Sequence, residues 1–331
     1  LIGAGFSPAQ AAILATDPEY NPLLALQGIQ FLPQFVNFPN NSENGKSNDD
    51  NVDYTLKLSY ILNDTTSIYG GVSTGYKATA WNISRDSLPD AVEIAALAAA
   101  GTPVGPNTGV GRRYADPEES EVFELGAKIK LPTGYLNIAL FDQKIKGFQS
   151  NTFVGTGFIL ANAGSQSTDG VEFDLVMSPT ESIDLAISGL FMDPIYDSFP
   201  NSSSGDLSGT MPSNISENTI SSTITWNWNL NNWDGYLRFS HLYASDAKML
   251  ENPSWQTILE NAGNGIKTQD TLNFSLGIER ENLSITVWGK NINDDRYLIS
   301  AFPAVADPTF TTFFGYPNAY SSYGATLNYK F

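Results

Sequence analysis

Histidine and cysteine, which supply much of the nucleophilic and acid–base chemistry of enzymes, are almost absent from this chain of 331 residues. His241 is the single histidine, so a Ser-His-Asp triad could form only around it. It shares one face of an alternating pattern with Leu237 and Phe239, and no recognisable catalytic set lies near it. The absence of cysteine excludes disulfides, thiolate nucleophiles and cysteine-ligated metals. We therefore predict that the chain is not an enzyme.

Two acidic clusters carry the oxygen atoms that calcium prefers: Asp49, Asp50 and Asp53, and the stretch from Asp116 to Glu121. Neither cluster has the spacing of a known calcium loop, so solvated loop charge is the better interpretation. We expect neither a metal nor a cofactor.

Basic and aromatic residues in the longest connections are better candidates for contact with a ligand. A glycine-rich segment precedes two consecutive arginines, but it follows no strand and opens no helix, so it is not a phosphate cradle. With the tyrosine that follows them, the arginines form a basic, aromatic spot in an acidic loop, which could contact an anionic ligand or serve loop structure alone. A flat aromatic side chain in a loop could stack on a ring-bearing ligand such as a sugar, or simply pack within the loop. The candidates are Trp81, Arg112, Arg113, Tyr114 and Trp255.

The composition shows which elements must position these residues. Aromatic residues reach 12% and charged residues only 16%, well below the charge content of typical soluble domains. Strands with one face in lipid and the other wetted by uncharged polar side chains have this composition. The net charge of −18 excludes nucleic acid as a partner, because phosphate contacts need clustered lysine and arginine. No apolar run is long enough for a transmembrane helix, but strands can cross a membrane without one.

Alternation with a period of two dominates the chain from about residue 52 and predicts eleven strands. Short connections with turn-forming residues alternate along the chain with much longer loops. Short turns on one rim and long loops on the other are typical of outer-membrane barrels, whose short rim faces the periplasm. The predicted strands are 52–62, 66–79, 118–131, 135–149, 158–178, 182–196, 215–229, 234–246, 267–280, 283–298 and 318–331.

Because eleven is an odd number, the first and last strands of the predicted antiparallel series run in the same direction, which predicts where the start of the chain lies. If the last strand ends at the periplasmic rim, the first strand also runs downward, and residues 1–51 form an extracellular loop segment. Short loop helices are predicted at Pro8 to Ala15 and at Asp90 to Ala100. The sequence starts without methionine or a signal peptide, so we interpret it as a fragment.

Several short motifs occur in a fixed order along these predicted strands. They are Gly75-Tyr76-Lys77-Ala78, Pro117-Glu118 with Glu124-Leu125-Gly126-Ala127-Lys128, Ala161-Asn162-Ala163-Gly164, Gly170-Val171-Glu172, Lys290-Asn291-Ile292-Asn293-Asp294 with Tyr297, and Tyr329-Lys330-Phe331. Together they resemble the distal barrel half of TonB-dependent receptors, over about residues 52–331.

The resemblance implies an all-β fold, a transmembrane antiparallel β-barrel. Residues 52–331 would be the carboxy-terminal half of a barrel of about 22 strands, here a partial barrel of about eleven strands with long extracellular loops. The implied function is uptake of a scarce nutrient across the bacterial outer membrane, with energy supplied through TonB. The implied partners are the TonB complex, reached through a plug domain missing from this chain, the barrel-insertion machinery, outer-membrane lipid and a small-molecule nutrient ligand. Iron-siderophore complexes are favoured because they are common ligands of the family, while haem, cobalamin and oligosaccharide stay open.

Other classes of protein share parts of this pattern. An autotransporter-type or adhesin barrel of about twelve strands also ends in an aromatic residue and would nearly fit this length. An outer-membrane hydrolase is the third alternative, and a soluble secreted β-protein is the fourth. Strand parity and residues 1–51 favour the receptor.

The alternation predicts which face of the sheet each side chain points to, the lipid face or the lumen face. We expect the lipid-facing set to lie on the solvent-accessible convex side of the sheet, not in a packed interior. Phe331 alternates in step with Leu327 and Tyr329 and resembles the assembly signal read by the barrel-insertion machinery, although it could be an interfacial aromatic only. The lipid-facing set is Phe123, Leu125, Leu272, Phe274, Leu283, Ile285 and Leu327, and the lumen-facing set is Glu124, Lys128, Asn273, Thr286 and Asn328.

Overall fold

The computed structural model describes residues 45–82, 114–153, 158–200, 202, 204–304, 307 and 311–331, with isolated positions before residue 18 and between 92 and 99. This part of the chain is almost entirely β-structure, and α1 (Pro253–Asn261) is the helix that is described over its full length. Its strands are β1 (Thr55–Asn63), β2 (Thr66–Lys77), β3 (Ala80–Trp81), β4 (Tyr114–Ala115), β5 (Glu118–Leu131), β6 (Gly134–Lys146), β7 (Gln149–Phe153), β8 (Phe158–Asn162), β9 (Ser165–Thr180), β10 (Ile183–Ser198), β11 (Asn218–Leu230), β12 (Trp233–Lys248), β13 (Ile266–Arg280), β14 (Leu283–Lys290), β15 (Leu298–Pro303), β16 (Phe313–Pro317) and β17 (Ser322–Tyr329).

Eleven of these strands form a single antiparallel sheet in the order β1-β2-β5-β6-β9-β10-β11-β12-β13-β14-β17. Each sheet strand pairs with the next sheet strand along the chain, and β1 and β17 each have one neighbour only. The prediction of eleven long strands in an open partial barrel is confirmed.

The connections between sheet strands alternate between tight turns and long segments, as predicted. All the tight turns lie at one edge, which we call the tight-turn rim, and the opposite edge is the long-loop rim. At the β11–β12 turn, Asn231 and Asn232 both have positive φ, 52° and 64°. Two successive left-handed residues make the hairpin turn that matches the right-handed twist of the strands, and asparagine tolerates that conformation.

The other six strands form three short ribbons that belong to the long-loop rim: β3 with β4, β7 with β8, and β15 with β16. Here the predicted boundaries were wrong. The strand predicted over 158–178 is split between ribbon and sheet, because the sheet strand begins at Ser165. The strands predicted to reach residues 149 and 298 leave the sheet at Lys146 and Lys290, where Gly147 and Asn291 adopt positive φ and turn the chain away.

Helices are confined to connections. Val92, Ala95, Ala96 and Ala99 are helical, as is Gln10, in agreement with the predicted helices at those positions. The remaining residues of the two predicted helices lie outside the described residues. Helix α1 was not predicted. Among the described residues, no helix has the length and apolarity needed to cross a membrane.

The two faces of the sheet differ as predicted. Phe123, Leu125 and Leu327 are 50%, 59% and 67% exposed, and the other predicted lipid-facing residues are half-buried. They pair with apolar partners on the same face, for example Leu125 with Leu140. We call this outward apolar surface the belt. The clusters of buried apolar residues found in the described chain lie towards the long-loop rim, around Phe199 and around Leu259, and not between two sheets.

Aromatic rings cover glycines directly opposite them on neighbouring strands. At Gly126, an added Cβ would lie 2.4 Å from the Tyr69 ring. Ring coverage of this kind compensates for the missing glycine side chain and fixes the pairing of the strands. The pairs are Tyr69–Gly126, Phe141–Gly170, Phe173–Gly189, Trp228–Gly235, Tyr236–Gly277, Phe274–Gly289 and Trp288–Gly324.

Gly126→Ala should therefore destabilise the sheet, because the methyl group displaces the Tyr69 ring. Overpacking of this kind costs about 1–3 kcal/mol. Gly70→Ala is the matched control, since the atoms nearest to its added Cβ lie at 3.6 Å. Urea unfolding in detergent micelles measures both, and equal midpoints for the two variants would contradict the role of ring coverage.

Candidate ligand-binding rim

The candidate ligand residues all belong to the long-loop rim. Trp81 and Tyr114 face each other as paired residues of the β3–β4 ribbon. Their ring centroids lie 5.1 Å apart at an interplanar angle of 38°. Trp81 Nε1 donates a hydrogen bond of 3.3 Å to Ser47 Oγ, which fixes the indole from the amino-terminal side. Both rings are half-buried, so part of this aromatic pair faces solvent in a fixed orientation.

The chain just before strand β3 is held by two hydrogen bonds to one carboxylate. The backbone N–H and the hydroxyl of Thr79 both donate to the carboxylate of Asp49, at 3.1 and 3.0 Å. Arg112 and Arg113 lie outside the described residues, so of the predicted basic and aromatic spot only Tyr114 is placed.

A buried amide holds the base of the same loop. Gln149 is 7% exposed, and its Nε2 donates at 2.9 Å to the carbonyls of both Ala78 and Asp116. Its backbone N–H donates to Glu118 Oε2 at 2.9 Å, and the same carboxylate oxygen lies 3.6 Å from Lys77 Nζ. The loop between β2 and β5 is thus tied to the β7–β8 ribbon at both of its ends.

Asn162 makes a second amide contact between the same segments. Its Nδ2 donates to the carbonyls of Asp116 and Gly147, at 2.9 and 2.6 Å, and its Oδ1 accepts from the Asp116 N–H at 2.7 Å. Neighbouring segments of the rim are therefore joined by hydrogen bonds between loops, in addition to their attachment to the strands.

Trp255 is presented by helix α1, whose first turn is well capped. The side chain of Asn252 accepts hydrogen bonds from the N–H groups of Ser254 and Trp255, at 3.0 and 3.1 Å. Pro253 occupies the start of the helix, where no N–H is needed. Trp255 is half-buried on this turn, so its position is set by the cap.

Gln256 clamps the helix to its own loop. It is 4% exposed. Its Oε1 accepts from the N–H groups of Met249 and Leu250, at 3.1 and 2.9 Å. Its Nε2 donates to Glu260 Oε1 and to the Gly265 carbonyl, at 2.8 and 2.7 Å. One side chain thus joins both ends of the segment that carries Trp255.

Contacts continue from loop to loop along the rim. Phe148, just before β7, and Tyr196, near the end of β10, have ring centroids 6.0 Å apart. The Tyr196 ring also contacts that of Phe199 in the loop after β10. That loop reaches the α1 segment through Ser213, whose N–H donates to Glu251 Oε2 at 3.1 Å. Leu259 of α1 packs with Met249 and with Ala301 of β15.

The segment after β14 holds a charged anchor. Arg296 donates through Nε and Nη2 to the two carboxylate oxygens of Asp294, each at 2.9 Å. This hydrogen bonding holds the pKa of the Asp294 carboxyl below its usual value. The guanidinium also lies 4.1 Å from the centre of the Tyr320 ring. Two of its donors bond to Asp294 and its planar face lies on Tyr320, so Arg296 serves loop structure.

The predicted candidates form two separate aromatic sites. Trp81 and Tyr114 sit in the β2–β5 connection, and Trp255 sits in the β12–β13 connection. Four sheet strands lie between β5 and β12, which is roughly 24 Å along the sheet at about 4.8 Å per strand. The structure brings Trp81 and Tyr114 together and leaves Trp255 apart from them.

The residues singled out for chemistry have structural partners. His241 Nε2 lies 2.5 Å from Asp270 Oδ1, on the outward face of the sheet, opposite Leu272 in the β12–β13 register. Asp49 and Asp53 accept hydrogen bonds within the rim. Among the described residues, no group of three or more histidine, cysteine or acidic side chains is arranged to hold a metal ion.

Sequence reasoning missed three side-chain amides that position the candidates: the buried Gln149 and Gln256 and the half-buried Asn162. Asn162 lies in one of the motifs that carry the family resemblance, so that motif marks a loop anchor. Gln149 and Gln256 had no comparable signal, because a glutamine in a loop looks the same in sequence whether it is solvated or buried.

Comparison with protein-family models gives one match, to the β-barrel of TonB-dependent receptor-like proteins, over residues 21–292. No curated protein sequence matches the chain.

Solved structures with the same fold include three siderophore receptors. The ferric yersiniabactin uptake receptor FyuA of Yersinia pestis superposes with a TM-score of 0.64 at 20% identity, over 87% of this chain and 38% of its own. The ferric-catecholate import receptor Fiu of E. coli K12 gives 0.57 at 12% identity, over 84% of this chain and 35% of its own. The siderophore receptor PiuA of Acinetobacter baumannii gives 0.56 at 15% identity, over 84% and 36%. The chain thus spans less than two fifths of the length of each of these receptors.

The family model covers well over half of the chain, including nearly all of the sheet strands. This match favours a receptor over the autotransporter-type or adhesin barrel, and a receptor family agrees with the prediction that the chain is not an enzyme. The chain belongs to the TonB-dependent receptors, and its eleven-stranded sheet is part of their β-barrel.

Proposed function

We propose that the chain is part of an outer-membrane receptor that takes up a ferric siderophore, with energy supplied through TonB. Residues 1–51 would be an extracellular loop segment, and residues 52–331 the carboxy-terminal half of a barrel of about 22 strands. TonB would act through a plug domain. The siderophore proposal is supported by structures of the same fold whose names state ferric yersiniabactin uptake and ferric-catecholate import.

The observation that carries the proposal is a pair of fixed, partly exposed aromatic sites on the long-loop rim. In the Trp81–Tyr114 pair, the indole N–H of Trp81 donates to the Ser47 hydroxyl, and the backbone N–H of Trp255 donates to the Asn252 side chain. Rings already fixed in place lose little entropy when a ligand stacks on them. Catecholates and other flat siderophore groups offer the matching aromatic surface. The barrel itself supplies the wall and the scaffold.

Trp81→Ala and Trp255→Ala should each weaken binding of a ferric siderophore. The loss of one stacking contact corresponds to about 1 kcal/mol, or roughly fivefold in affinity. Ferric enterobactin and ferric yersiniabactin are the probes, and the receptor in outer-membrane vesicles is titrated with each. Uptake of radiolabelled iron in cells with and without TonB tests the source of energy.

Trp226→Ala is the matched control, because Trp226 is 53% exposed on the outward face of the sheet and should not touch the ligand. Equal losses in the control and the loop variants would contradict a role for the loop aromatics. Binding of neither ferric complex, together with binding of haem or an oligosaccharide, would contradict the siderophore proposal.

A further inference from the structure

The β15–β16 ribbon has one exposed aromatic face. Phe302 and Phe314 stand directly opposite each other in its register, and Tyr316 follows Phe314 on the same side. The rings of Phe302 and Tyr316 meet edge-on, with centroids 5.8 Å apart. We call these three side chains, which are 41%, 62% and 55% exposed, the ribbon face. Neither strand carries a charged residue, and an exposed apolar patch outside the lipid-facing belt marks a contact surface.

The opposite face of the ribbon already has a partner. Ala301 packs with Met249 and Leu259 of the connection between β12 and β13, and Leu298 and Phe313 lie against the same cluster. Successive side chains of a strand point to opposite sides. The ribbon face is therefore turned away from the connection that carries α1.

Two buried asparagines hold the base of the ribbon. Asn318 accepts a hydrogen bond of 3.2 Å from the Tyr297 N–H, and its Nδ2 donates to the Asp295 carbonyl at 2.8 Å. Asn291 donates through Nδ2 to the carbonyls of Asp295 and Ala319, each at 2.9 Å. These bonds join the segment that enters the ribbon to the segment that leaves it. The direction of the ribbon face is thus fixed relative to the ends of β14 and β17.

The ribbon is also the last member of a series of loop contacts. Each described long connection touches the next one along the rim, from the β2–β5 connection to the ribbon. The ribbon lies between β14 and β17, and the second edge of β17 has no neighbour in the described sheet. In a closed antiparallel barrel, the strand that pairs with this edge is the first strand, and it runs towards the long-loop rim. The next long loop along the rim is then the one that joins the first two strands.

We propose that the ribbon face packs against the loop that joins the first two strands of the complete barrel, and this inference rests on the proposed function. The contact continues the series of loop contacts across the edge of β17. The face selects an apolar or aromatic segment of that loop, because its three rings carry no charge and only the Tyr316 hydroxyl can form a hydrogen bond. The barrel is therefore closed twice at this edge, by backbone hydrogen bonds between strands and by side-chain packing between loops.

The test places the photoreactive residue p-benzoylphenylalanine at position 314 of the full-length receptor in the outer membrane, where it keeps the aromatic ring of Phe314. We expect irradiation to give a crosslink within one polypeptide, which peptide mass spectrometry maps to the loop between the first two strands. The same residue at position 327 is the control, because Leu327 points to lipid from the neighbouring strand β17. A crosslink from position 314 to a second polypeptide, no crosslink within the chain, or the same crosslink from position 327 would overturn the inference. Loss of the crosslink on addition of ferric enterobactin or ferric yersiniabactin would overturn it in favour of a ligand site.

A second measurement follows the loop itself. In Phe314→Ser with Tyr316→Ser, the amides of that loop should lose most of their protection from hydrogen exchange, because its apolar partner is gone. Ile266→Ser is the control, since it removes an exposed apolar side chain from the same rim, at the start of β13. Unchanged protection in the double variant, or an equal loss in the control, would contradict the contact. A receptor that takes up iron but gives no crosslink contradicts this inference alone, whereas a full-length protein that forms the crosslink but binds no ferric siderophore contradicts the proposed function alone.

Discussion

Gln256→Leu should release the segment 249–265 from the long-loop rim while the sheet stays folded. Leucine has a similar volume but no hydrogen-bonding groups, so the N–H groups of Met249 and Leu250 and the carbonyl of Gly265 lose their partner. A buried polar group without a partner costs about 1–3 kcal/mol, and this variant creates three of them. The loop can avoid that cost by opening to water, so we expect local opening and not global unfolding.

Hydrogen exchange resolved by mass spectrometry measures this effect. Amides of residues 249–265 should lose most of their protection, while those of β12 and β13 keep theirs. Siderophore affinity should fall at least as far as in Trp255→Ala, because the helix that presents the indole is no longer held. Thr257→Ala is the control on the same helix, since its exposed hydroxyl only donates back to the Pro253 carbonyl. Unchanged protection in Gln256→Leu would show that the clamp is not needed.

Phe331→Ala should sharply lower the amount of folded receptor in the outer membrane. The Phe331 side chain is exposed, and its ring meets that of Tyr329 edge-on, with centroids 5.2 Å apart. It continues the outward alternation of Leu327 and Tyr329 beyond β17. We propose that the barrel-insertion machinery reads this aromatic side chain during assembly.

Two measurements separate this proposal from a role in the interface alone. The molecules of Phe331→Ala that do insert should bind ligand with normal affinity, and Phe331→Tyr should restore the amount of folded receptor. An interfacial aromatic that only buries apolar surface contributes at most about 3 kcal/mol, and its removal would lower thermal stability without changing how much protein is inserted. Normal surface levels of Phe331→Ala would leave it in that role.

The sheet could be predicted from sequence because two independent signals agree along its whole length. A period of two assigns each side chain to a face, and the spacing of turn residues assigns each strand to a hairpin. A strand in a barrel has lipid on one face and the lumen on the other along its whole length. Phe123 and Glu124 in the middle of a strand therefore show the apolar–polar alternation as clearly as residues at the strand ends. The number and order of the sheet strands followed from this.

The rim could be predicted only in part, because its structure depends on contacts that are distant in sequence. The β7–β8 ribbon continues the alternation of the neighbouring sheet strands; Gly147, with positive φ, separates β7 from β6, and residues 163–164 separate β8 from β9. Helix α1 has nine residues, too few for periodicity to stand out, although Asn252 and Pro253 do form a start signal. Trp81 was selected as a loop aromatic and Tyr114 as part of a basic, aromatic spot with Arg112 and Arg113, and nothing in the sequence indicated that the two rings pair.

The amide contacts between loops affect how new binding specificities can arise in this scaffold. A loop that touched only its own two strands could be exchanged for that of a relative without regard to its neighbours. Here the β2–β5 loop depends on Gln149 and Asn162 of the next connection, and the loop after β10 depends on Glu251 of the α1 segment. Adjacent loops are therefore the natural units of recombination and grafting. A transplanted loop needs the side chain that holds it, and that side chain belongs to its neighbour.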